Sequence, residues 1–299
     1  MTHDDFSYLI GVDGGGTGCR VAVASLDGRI LAEAKGGRAN VSTDCAEAIT
    51  NIMRATHEAV QKAGLSIADT DRAVAHLGLA GYTGPEIGRQ ITALLPFART
   101  VVSEDTNTTI VGAIEQEDGY VIALGTGTII ARQKAQQQTC IGGWCYQVSD
   151  QASGAWLGHG ALEQTLLVVD GIGQASPLSQ RMLDKFGGAA GIVQFSLKAR
   201  PGDFATLAPD VVETASAGDT IGTTLMVRGA EYLDSALRAL DHGAGDILCL
   251  SGGVGPHYAP YLPSERTGNL ASAKGRAVDG AVALAVRAAA QPRCHANAF

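Results

Sequence analysis

Three glycine-rich turns, each following a short apolar run, are the parts of this sequence best suited to chemistry. They lie at residues 13–18, 125–128 and 251–255. Backbone N–H groups converge in such a turn, and no side chain blocks the approach of a phosphate oxygen. Three of these turns in one chain predict a binding site for a nucleotide polyphosphate.

Two widespread classes of nucleotide site are excluded by the residues around the first turn. A Walker loop needs Gly-Lys followed by Ser or Thr, and the chain has no such triplet. The Rossmann fingerprint needs a glycine at its sixth position, but counting from Gly14 this position is Cys19. Residues 20–25 then alternate in polarity as a strand does, where a Rossmann site has a helix. The pattern therefore predicts a phosphate loop inside a β-hairpin.

Asp13 stands at the end of the apolar run, directly before three glycines. A carboxylate repels a polyphosphate unless a cation lies between them, so we expect Asp13 to hold Mg²⁺ through water. Asp13 could also be only a turn-forming residue, but its place at a strand end favours the metal role. Hydroxyl groups in the first two turns add hydrogen-bond donors. The predicted nucleotide-binding residues of these turns are Asp13, Gly14, Gly15, Gly16, Thr17, Gly125, Thr126 and Gly127.

Apolar periodicity and turn residues predict an α/β fold around these turns. Strands are expected at residues 8–12, 20–25, 29–35, 73–79, 100–103 and 246–250, the first three as an antiparallel meander. Helices are expected at residues 42–62, 85–95, 155–169, 177–186, 204–215, 220–241 and 276–290. Residues 120–132 repeat the opening strand–turn–strand pattern, which indicates an internal duplication or a chance likeness of two hairpins. The domain boundary is expected near residues 115–119.

The bulk composition bounds the class of protein. A chain of 299 residues that is 45% hydrophobic is long enough for two domains with separate cores. Its net charge of −8 and the lack of a basic stripe argue against a nucleic-acid partner. The six cysteines show no zinc-ligand spacing, and we interpret Cys140 and Cys145 as turn residues more readily than as a redox pair. With no signal-like or membrane-spanning apolar run, we expect a cytoplasmic protein with no membrane partner.

Several segments resemble motifs of the actin, hexokinase and Hsp70 superfamily. Residues 9–17, Asp105, residues 124–128 and residues 250–255 look like its phosphate-1, connecting acid, phosphate-2 and adenosine motifs. Within it, nearly the whole chain resembles the BadF/BadG/BcrA/BcrD ATPase family, in the branch of N-acetylglucosamine and glucosamine kinases. The most specific part is Gly142-Gly143-Trp144 followed by residues 149–158, which is similar to the family's Gly-Gly-Trp-Gly and Asp-Glu-Gly-Ser signature.

The resemblance implies an α/β protein of two actin-like, ribonuclease H-like lobes with an ATP and sugar cleft between them. The lobes would be residues 1–116 and 117–299, and the last helix could dock back on the N-terminal lobe. The implied activity is ATP-dependent phosphorylation of N-acetylglucosamine or glucosamine at the 6-hydroxyl, with Mg²⁺ as cofactor. A homodimer is also expected, since such symmetric assemblies are common.

The resemblance also assigns roles to single residues. Asp105 would be the catalytic base, although it could instead cap the helix that follows it. Gly252 and Gly253 would lie against the adenosine. Asp150 would contact the sugar or, alternatively, cap the helix near Ser153. The implied sugar contacts are Asn40, Asp105, Thr128, Gly143, Trp144 and Asp150.

This chain departs from the family pattern at three positions. Cys145 stands where glycine is usual, Gln151 where glutamate is usual, and Ala152 where glycine is usual. These departures leave a kinase plausible but put the identity of the sugar in question. Two alternatives remain: an activator ATPase of 2-hydroxyacyl-CoA dehydratases, which needs cluster-binding cysteines, and a non-catalytic ATP-binding protein. Since Asp13, Asp105 and the glycine turns are all present, the kinase is favoured.

Overall fold

The computed structural model describes residues 6–291 and divides the chain into two compact units. The first unit comprises the described residues up to Gln116 together with those from Lys274 onward, and the second comprises Glu117–Ala273. The C-terminal helix thus belongs to the same unit as the first glycine turn. Within residues 6–291, no helix has both the length and the apolar character needed to cross a membrane.

The first unit is built on a mixed sheet with the strand order β3-β2-β1-β4-β5. Strands β1, β2 and β3 form the antiparallel meander predicted from the sequence, and β4 and β5 run parallel to β1. Parallel strands end at the same edge of a sheet, so the turns after β1, β4 and β5 lie side by side. The strands are β1 (Leu9–Gly14), β2 (Cys19–Ala24), β3 (Ile30–Gly36), β4 (Val74–Leu79) and β5 (Arg99–Glu104).

Helices cover both faces of this sheet. They are α1 (Cys45–Lys62), α2 (Pro85–Ala93), α3 (Asp105–Ile114) and the C-terminal helix α11 (Ala277–Ala290). Helix α1 packs on one face through residues such as Ile52, while α11 packs on the other through Val278 and Val282. The N-cap of α1 is Asp44, whose carboxylate accepts a hydrogen bond from the Glu47 N–H at 2.9 Å. The predicted helix start at residue 42 is therefore too early, because Ser42 and Thr43 precede the N-cap and donate hydrogen bonds to Asn40.

The second unit repeats the sheet of the first. Its order is β10-β9-β6-β7-β8, with β6, β7 and β8 antiparallel and β9 and β10 parallel to β6. Strand order and strand direction are thus the same in both sheets, which favours an internal duplication over a chance likeness of two hairpins. The strands are β6 (Gly119–Leu124), β7 (Thr128–Lys134), β8 (Gln137–Gly142), β9 (Leu248–Ser251) and β10 (Leu270–Ala271).

Most of the second unit's remaining chain is helical. Its helices are α4 (Gly154–Val169), α5 (Pro177–Phe186), α6 (Ala189–Ser196), α7 (Pro201–Ala205), α8 (Ala208–Ser216), α9 (Thr220–Ala239) and α10 (Ser264–Thr267). Helix α5 has the predicted bounds. The single helix predicted over residues 204–215 is wrong, because α7 ends at Ala205 and a new helix starts with Pro209 in its first turn. A proline lacks the N–H that a continuous helix would need there.

Helices α3 and α11 approach each other closely enough to require glycine at their contact. A Cβ added at Gly280 would lie 2.1 Å from the Thr108 carbonyl oxygen, and one added at Gly112 would lie 2.2 Å from the Arg276 carbonyl oxygen. Backbone atoms cannot move aside as a flexible side chain can. The position of α3 therefore depends on the absence of side chains at these two glycines.

We expect Gly280→Ala to lower the free energy of unfolding by about 1–3 kcal/mol, the usual range for overpacking. Alanine favours a helix interior over glycine, so the intrinsic propensity alone would act in the opposite direction. Chemical denaturation monitored by circular dichroism measures the change. The control is Gly268→Ala, whose added Cβ meets only the Ser264 carbonyl oxygen at 3.7 Å. Equal stability of the two variants would contradict the close approach.

His76 is a buried titratable group in the middle of β4. The residue is 3% exposed, its Nε2 lies 3.0 Å from the Ser103 hydroxyl, and its Nδ1 is bonded to none of the residues 6–291. Burial, with a smaller contribution from the charge of Arg287, lowers the pKa of His76 from 6.5 to about 4. The imidazole therefore stays neutral in the folded protein at pH values where the unfolded chain takes up a proton.

This difference makes stability depend on pH. The contribution of the neutral His76 is complete above pH 6.5, the unfolded value, and is lost as the pH falls towards 4. Over that range we expect the free energy of unfolding to fall by at most about 3 kcal/mol. In His76→Gln the decline between these pH values should be visibly shallower in urea titrations. Identical slopes in the two proteins would show that His76 is not the group responsible.

Candidate active site

The first glycine turn connects β1 and β2 and leaves its tip open. The Gly15 N–H donates to the Gly18 carbonyl at 2.9 Å, which closes the turn. The N–H groups of Gly16 and Thr17 donate to none of the residues that the structure describes, and both residues are exposed. A Cβ added at Gly16 would meet nothing within 4 Å. The turn thus presents free backbone donors with room for an anion.

Asp13 lies at the base of this turn and is paired. Its carboxylate accepts a hydrogen bond from the Arg20 guanidinium at 3.3 Å across the β1–β2 ladder. Burial raises the pKa of Asp13, and the Arg20 charge opposes the shift. A half-buried carboxylate next to open N–H donors fits an outer-shell role towards Mg²⁺. Among residues 6–291, no group of three His, Cys, Asp or Glu side chains could hold a metal ion by itself.

Asp105 reaches the same edge of the sheet through the register of the parallel strands. Gly14 is paired with Leu79, and Leu79 with Glu104, so these three residues form one row. Asp105 follows Glu104 as the first residue of α3. Burial first, and the charge of Asp13 second, raise the pKa of Asp105 from 3.8 to about 6. A carboxyl group with such a pKa is suited to accept a proton near neutral pH.

The alternative that Asp105 caps α3 does not match the structure. The N-cap position is held by Glu104, whose side chain makes no capping hydrogen bond. The first turn is instead fixed by the hydroxyls of Thr108 and Thr109, which both donate to the Asp105 carbonyl at 2.9 Å. The Asp105 side chain does not occupy the N-cap, and the backbone N–H groups of Thr106 and Asp105 beside its carboxylate oppose the rise of its pKa.

Asn40 lies in the loop that packs against this edge. The Val41 N–H donates to the Ala80 carbonyl, just beyond β4, and the Ala80 N–H donates to the Gly14 carbonyl. The Asn40 Oδ1 is occupied by the backbone N–H and hydroxyl of Ser42, at 3.0 and 2.8 Å. Its Nδ2 has no partner among the residues the structure describes. Asn40 thus shapes its loop and keeps two N–H donors available.

The second glycine turn, between β6 and β7, has the same design. The Gly125 N–H donates to the Gly127 carbonyl at 3.1 Å, and the N–H groups of Thr126 and Gly127 have no described partner. Helix α4 begins directly beside it, since the Gly154 N–H donates to the Gly125 carbonyl at 2.8 Å. The helix N-terminus favours negative charge close to the turn.

The third turn follows β9 and lies against the second. The Val254 N–H donates to the Leu124 carbonyl at 3.1 Å. Gly252 has φ +80°, and a Cβ added to it would lie 2.3 Å from the Leu124 carbonyl oxygen. Gly253 faces open space, since an added Cβ there would meet nothing within 4 Å. Gly252 permits the turn after β9 to approach the end of β6 closely, and Gly253 leaves a surface free.

Residues 142–153 form a loop with unusual backbone conformations. Positive φ occurs at Gly142, Gly143, Cys145, Asp150 and Ala152. Two of the family's usual glycines, replaced here by Cys145 and Ala152, thus fall where φ is +73° and +68°. Glycine adopts this region freely, whereas other residues are strained by about 1 kcal/mol or more. Both residues nevertheless adopt this left-handed backbone.

Asp150 is held inside this loop. Its side chain is 7% exposed, its Oδ1 accepts from the Thr128 N–H at 3.3 Å, and burial raises its pKa. It does not cap α4, because the N-cap is Ser153, whose hydroxyl accepts from the Trp156 N–H at 3.1 Å. Trp144, by contrast, is 75% exposed and makes no ring contact with the described residues. It presents a free aromatic face.

Thr128 is fully engaged in holding the same loop. Its N–H donates to Asp150, its hydroxyl donates to the Gln151 carbonyl at 2.6 Å, and its carbonyl accepts from the Gly143 N–H at 2.9 Å. Each unit therefore gathers its predicted residues at one sheet edge. The residue that the sequence analysis did not identify is Arg20; its pairing with Asp13 becomes visible only once the register of β1 and β2 is known.

Comparison with known proteins shows which family and which solved structures this chain is similar to. The family model of the BadF/BadG/BcrA/BcrD ATPase family matches residues 10–261. Glucosamine kinase GspK of Vibrio cholerae is 30% identical over 281 residues, covering 93% of this chain and 96% of that protein. A Chromobacterium violaceum structure, provisionally named an N-acetylglucosamine kinase, is 34% identical with a TM-score of 0.87, covering 94% of this chain and 99% of the other. A ROK family glucokinase from Streptomyces griseus, at 17% identity and TM-score 0.59 over 96% and 100% of the chains, shares the fold.

The contrast between Gly252 and Gly253 gives a test of the third turn. Gly252→Ala should destabilise the protein by about 1–3 kcal/mol, because the methyl group overlaps the β6 backbone in a left-handed conformation. Gly253→Ala should change stability by less than about 0.5 kcal/mol, as surface substitutions usually do, yet weaken ATP binding. Thermal unfolding and titration calorimetry separate the two effects. Unchanged ATP affinity in Gly253→Ala would remove this turn from the nucleotide site.

Proposed function

This chain belongs to the BadF/BadG/BcrA/BcrD ATPase family, and we propose that it is an ATP-dependent kinase whose acceptor is an amino sugar. The observation that carries the proposal is the edge of the first sheet. There the register places Asp13, an open glycine turn and the raised-pKa carboxyl of Asp105 together. The amino sugar is supported by relatives that are named for glucosamine and N-acetylglucosamine.

Each unit by itself offers backbone groups that suit a nucleotide. Free N–H donors at Gly16, Thr17, Thr126 and Gly127 suit phosphate oxygens, and the open side of Gly253 suits the adenosine. Asp13 would hold hydrated Mg²⁺. The ion, when bound, neutralises phosphate charge and so favours attack by an oxygen nucleophile.

Asp105 would act as the general base. Its carboxylate takes the proton from the acceptor hydroxyl, which we assign as the 6-hydroxyl of the sugar. The oxygen forms a bond to the γ-phosphorus as the bond from that phosphorus to the β,γ-bridging oxygen breaks, and ADP leaves. The raised pKa of Asp105 supports this role, because burial makes the free carboxylate a stronger base than an exposed one.

Each unit by itself also has side chains that suit a sugar. Asn40 offers its Nδ2 donors, Asp150 a buried carboxylate bonded to the Thr128 N–H, and Trp144 an exposed ring for the apolar face of a pyranose. Gly143 would contribute backbone contact. We assign Thr128 a positioning role in place of the sugar contact that the resemblance implied. Its polar groups are already bonded, and they hold Asp150 and the loop in place. A cytoplasmic, homodimeric enzyme remains a prediction that fractionation and light scattering can test.

The assignment of the base predicts the effect of Asp105→Asn. The amide keeps size and hydrogen bonding but cannot accept the proton, so kcat should fall by about 10²- to 10⁴-fold. Affinities for ATP and sugar, measured by calorimetry, should change much less. The matched control is Glu104→Gln, an exposed neighbour that should retain most activity. A near-normal kcat of Asp105→Asn, or a large loss of kcat in Glu104→Gln, would show that the base is misassigned.

The substrate class is tested by an ADP-coupled assay over a panel of hexoses and amino sugars. We expect glucosamine or N-acetylglucosamine to give the highest kcat/KM, and turnover to stop with EDTA and resume with added Mg²⁺. Phosphorus NMR of the product should show a phosphomonoester on the 6-oxygen. A clear preference for glucose or glycerol would refute the amino-sugar assignment while leaving the kinase in place.

A further inference from the structure

Ser103 connects a buried histidine to the backbone just before Asp105. The Nε2 atom of His76 lies 3.0 Å from the Ser103 hydroxyl oxygen, and that hydroxyl donates to the Glu104 carbonyl at 3.0 Å. A hydroxyl has a single hydrogen, so its oxygen is left to accept a hydrogen bond, and the imidazole must donate it. The neutral ring of His76 therefore carries its hydrogen on Nε2.

The peptide group that accepts from Ser103 also contains the Asp105 N–H. The carbonyl and the N–H of a peptide group lie in one plane, so a hydrogen bond to the carbonyl oxygen helps to fix the direction of the N–H. This N–H lies beside the Asp105 carboxylate and, with the Thr106 N–H, opposes the burial that raises the pKa of Asp105. A continuous relay of polar groups thus runs from His76 through Ser103 and the Glu104–Asp105 peptide to the proposed base.

The register of the first sheet explains why these groups meet. His76 is paired with Val101, and Ser103 is two residues further along β5, so the side chains of His76 and Ser103 project to the same face of the sheet. Gly78, which is paired with Ser103, brings no side chain to this face, and a Cβ added there would lie 2.3 Å from the Thr108 hydroxyl oxygen. The relay is therefore enclosed by α3, whose first residue is the proposed base.

The charged groups around the relay lie at its two ends. At the histidine end, burial and then the charge of Arg287 on α11 lower the pKa of His76 to about 4. At the other end, burial and then the charges of Asp13 on β1 and of the neighbouring Glu104 raise the pKa of Asp105. Since the imidazole is neutral at neutral pH, the relay acts on the carboxylate through hydrogen bonds and not through a charge of its own.

Such a relay suits the positioning of a base. Chains of hydrogen bonds strengthen one another inside a protein, and a displacement of about 1 Å in a reacting group can be costly to the rate. Resting on the kinase function proposed above, we propose that Ser103 and His76 are positioning residues, which hold the Glu104–Asp105 peptide, and with it the Asp105 carboxylate, in the orientation that accepts the proton from the sugar.

A matched pair of variants at Ser103 tests the proposal. Threonine and valine have the same shape, but only threonine keeps the hydroxyl. We expect kcat of Ser103→Val to be about 3- to 10-fold below that of Ser103→Thr, the usual effect of losing a hydrogen bond, with Kd values for ATP and sugar that agree. The acid limb of the kcat profile should lie at higher pH in Ser103→Val, because a carboxylate with less hydrogen-bond support is protonated more readily.

His76 should act only through Ser103. His76→Leu removes the donor to the hydroxyl and should lower kcat by less than Ser103→Val does. His76→Gln keeps an N–H donor on a side chain of similar reach and should recover most of the parent kcat. In the double variant of Ser103→Val and His76→Leu the losses should not multiply, because the relay is already broken by the first change. Losses that multiply would indicate two independent effects and overturn the relay.

Thr100→Val is the control on the same strand. Its hydroxyl is buried and is bonded to none of the residues that the structure describes, so its removal should leave kcat and its pH profile unchanged. Equal kcat values in Ser103→Val and Ser103→Thr would overturn the proposal. If Ser103→Val does not fold by circular dichroism, His76→Leu and His76→Gln are compared instead, and equal kcat values in that pair overturn the proposal.

Carbon-13 NMR separates this proposal from the proposed function. The carboxyl signal of Asp105, identified by its loss in Asp105→Asn, titrates whether or not a sugar is phosphorylated. If the parent phosphorylates no sugar but this titration lies at higher pH in Ser103→Val than in Ser103→Thr, the kinase assignment fails and the relay stands. If the parent is an active kinase and the two titrations coincide, the relay alone falls.

Discussion

The placement of Asp105 depends on how closely helix α3 can approach the sheet and helix α11. Thr108, one turn into α3, is central to this packing. A Cβ at Gly78 of β4 would lie 2.3 Å from the Thr108 hydroxyl oxygen, and one at Gly280 of α11 would lie 2.1 Å from its carbonyl oxygen. The same hydroxyl donates to the Asp105 carbonyl at 2.9 Å. Two glycines on different elements therefore determine where the first turn of α3, and with it the proposed base, can lie.

A shared sheet design explains why the predicted nucleotide-binding turns have the same form in both units. In each sheet an antiparallel hairpin is followed by strands parallel to its first member, so the hairpin turn and the later strand ends share one edge. At that edge the first unit places Asp13 and Asp105, while the second places Gly252 and Gly253. Because the strand order is the same in both units, the chemical differences at this edge come from the residues at the strand ends and directly after them.

Local signals in the sequence predicted the turns and most of the helices and strands, because glycine, proline and apolar alternation determine the conformation of nearby residues. They did not predict elements whose formation depends on residues far away in the sequence. Strand β8 (Gln137–Gly142) is mostly polar and half exposed, and β10 has two residues, so neither shows an apolar pattern. The pairing of Arg20 with Asp13 needed the register of two strands, and the engagement of Thr128 needed the course of a loop more than twenty residues away.

The loop that holds Asp150 shows how a departure from a family pattern should be interpreted. Cys145 and Ala152 keep the left-handed backbone that glycine would adopt without strain, and Ala152 is fully buried. The hydrogen bonds from Thr128 to Asp150 and Gln151 fix that course and offset strain of about 1–3 kcal/mol per residue. Of these two departures, Cys145 is exposed in the same loop as Trp144, whereas Ala152 has no surface that an acceptor could contact.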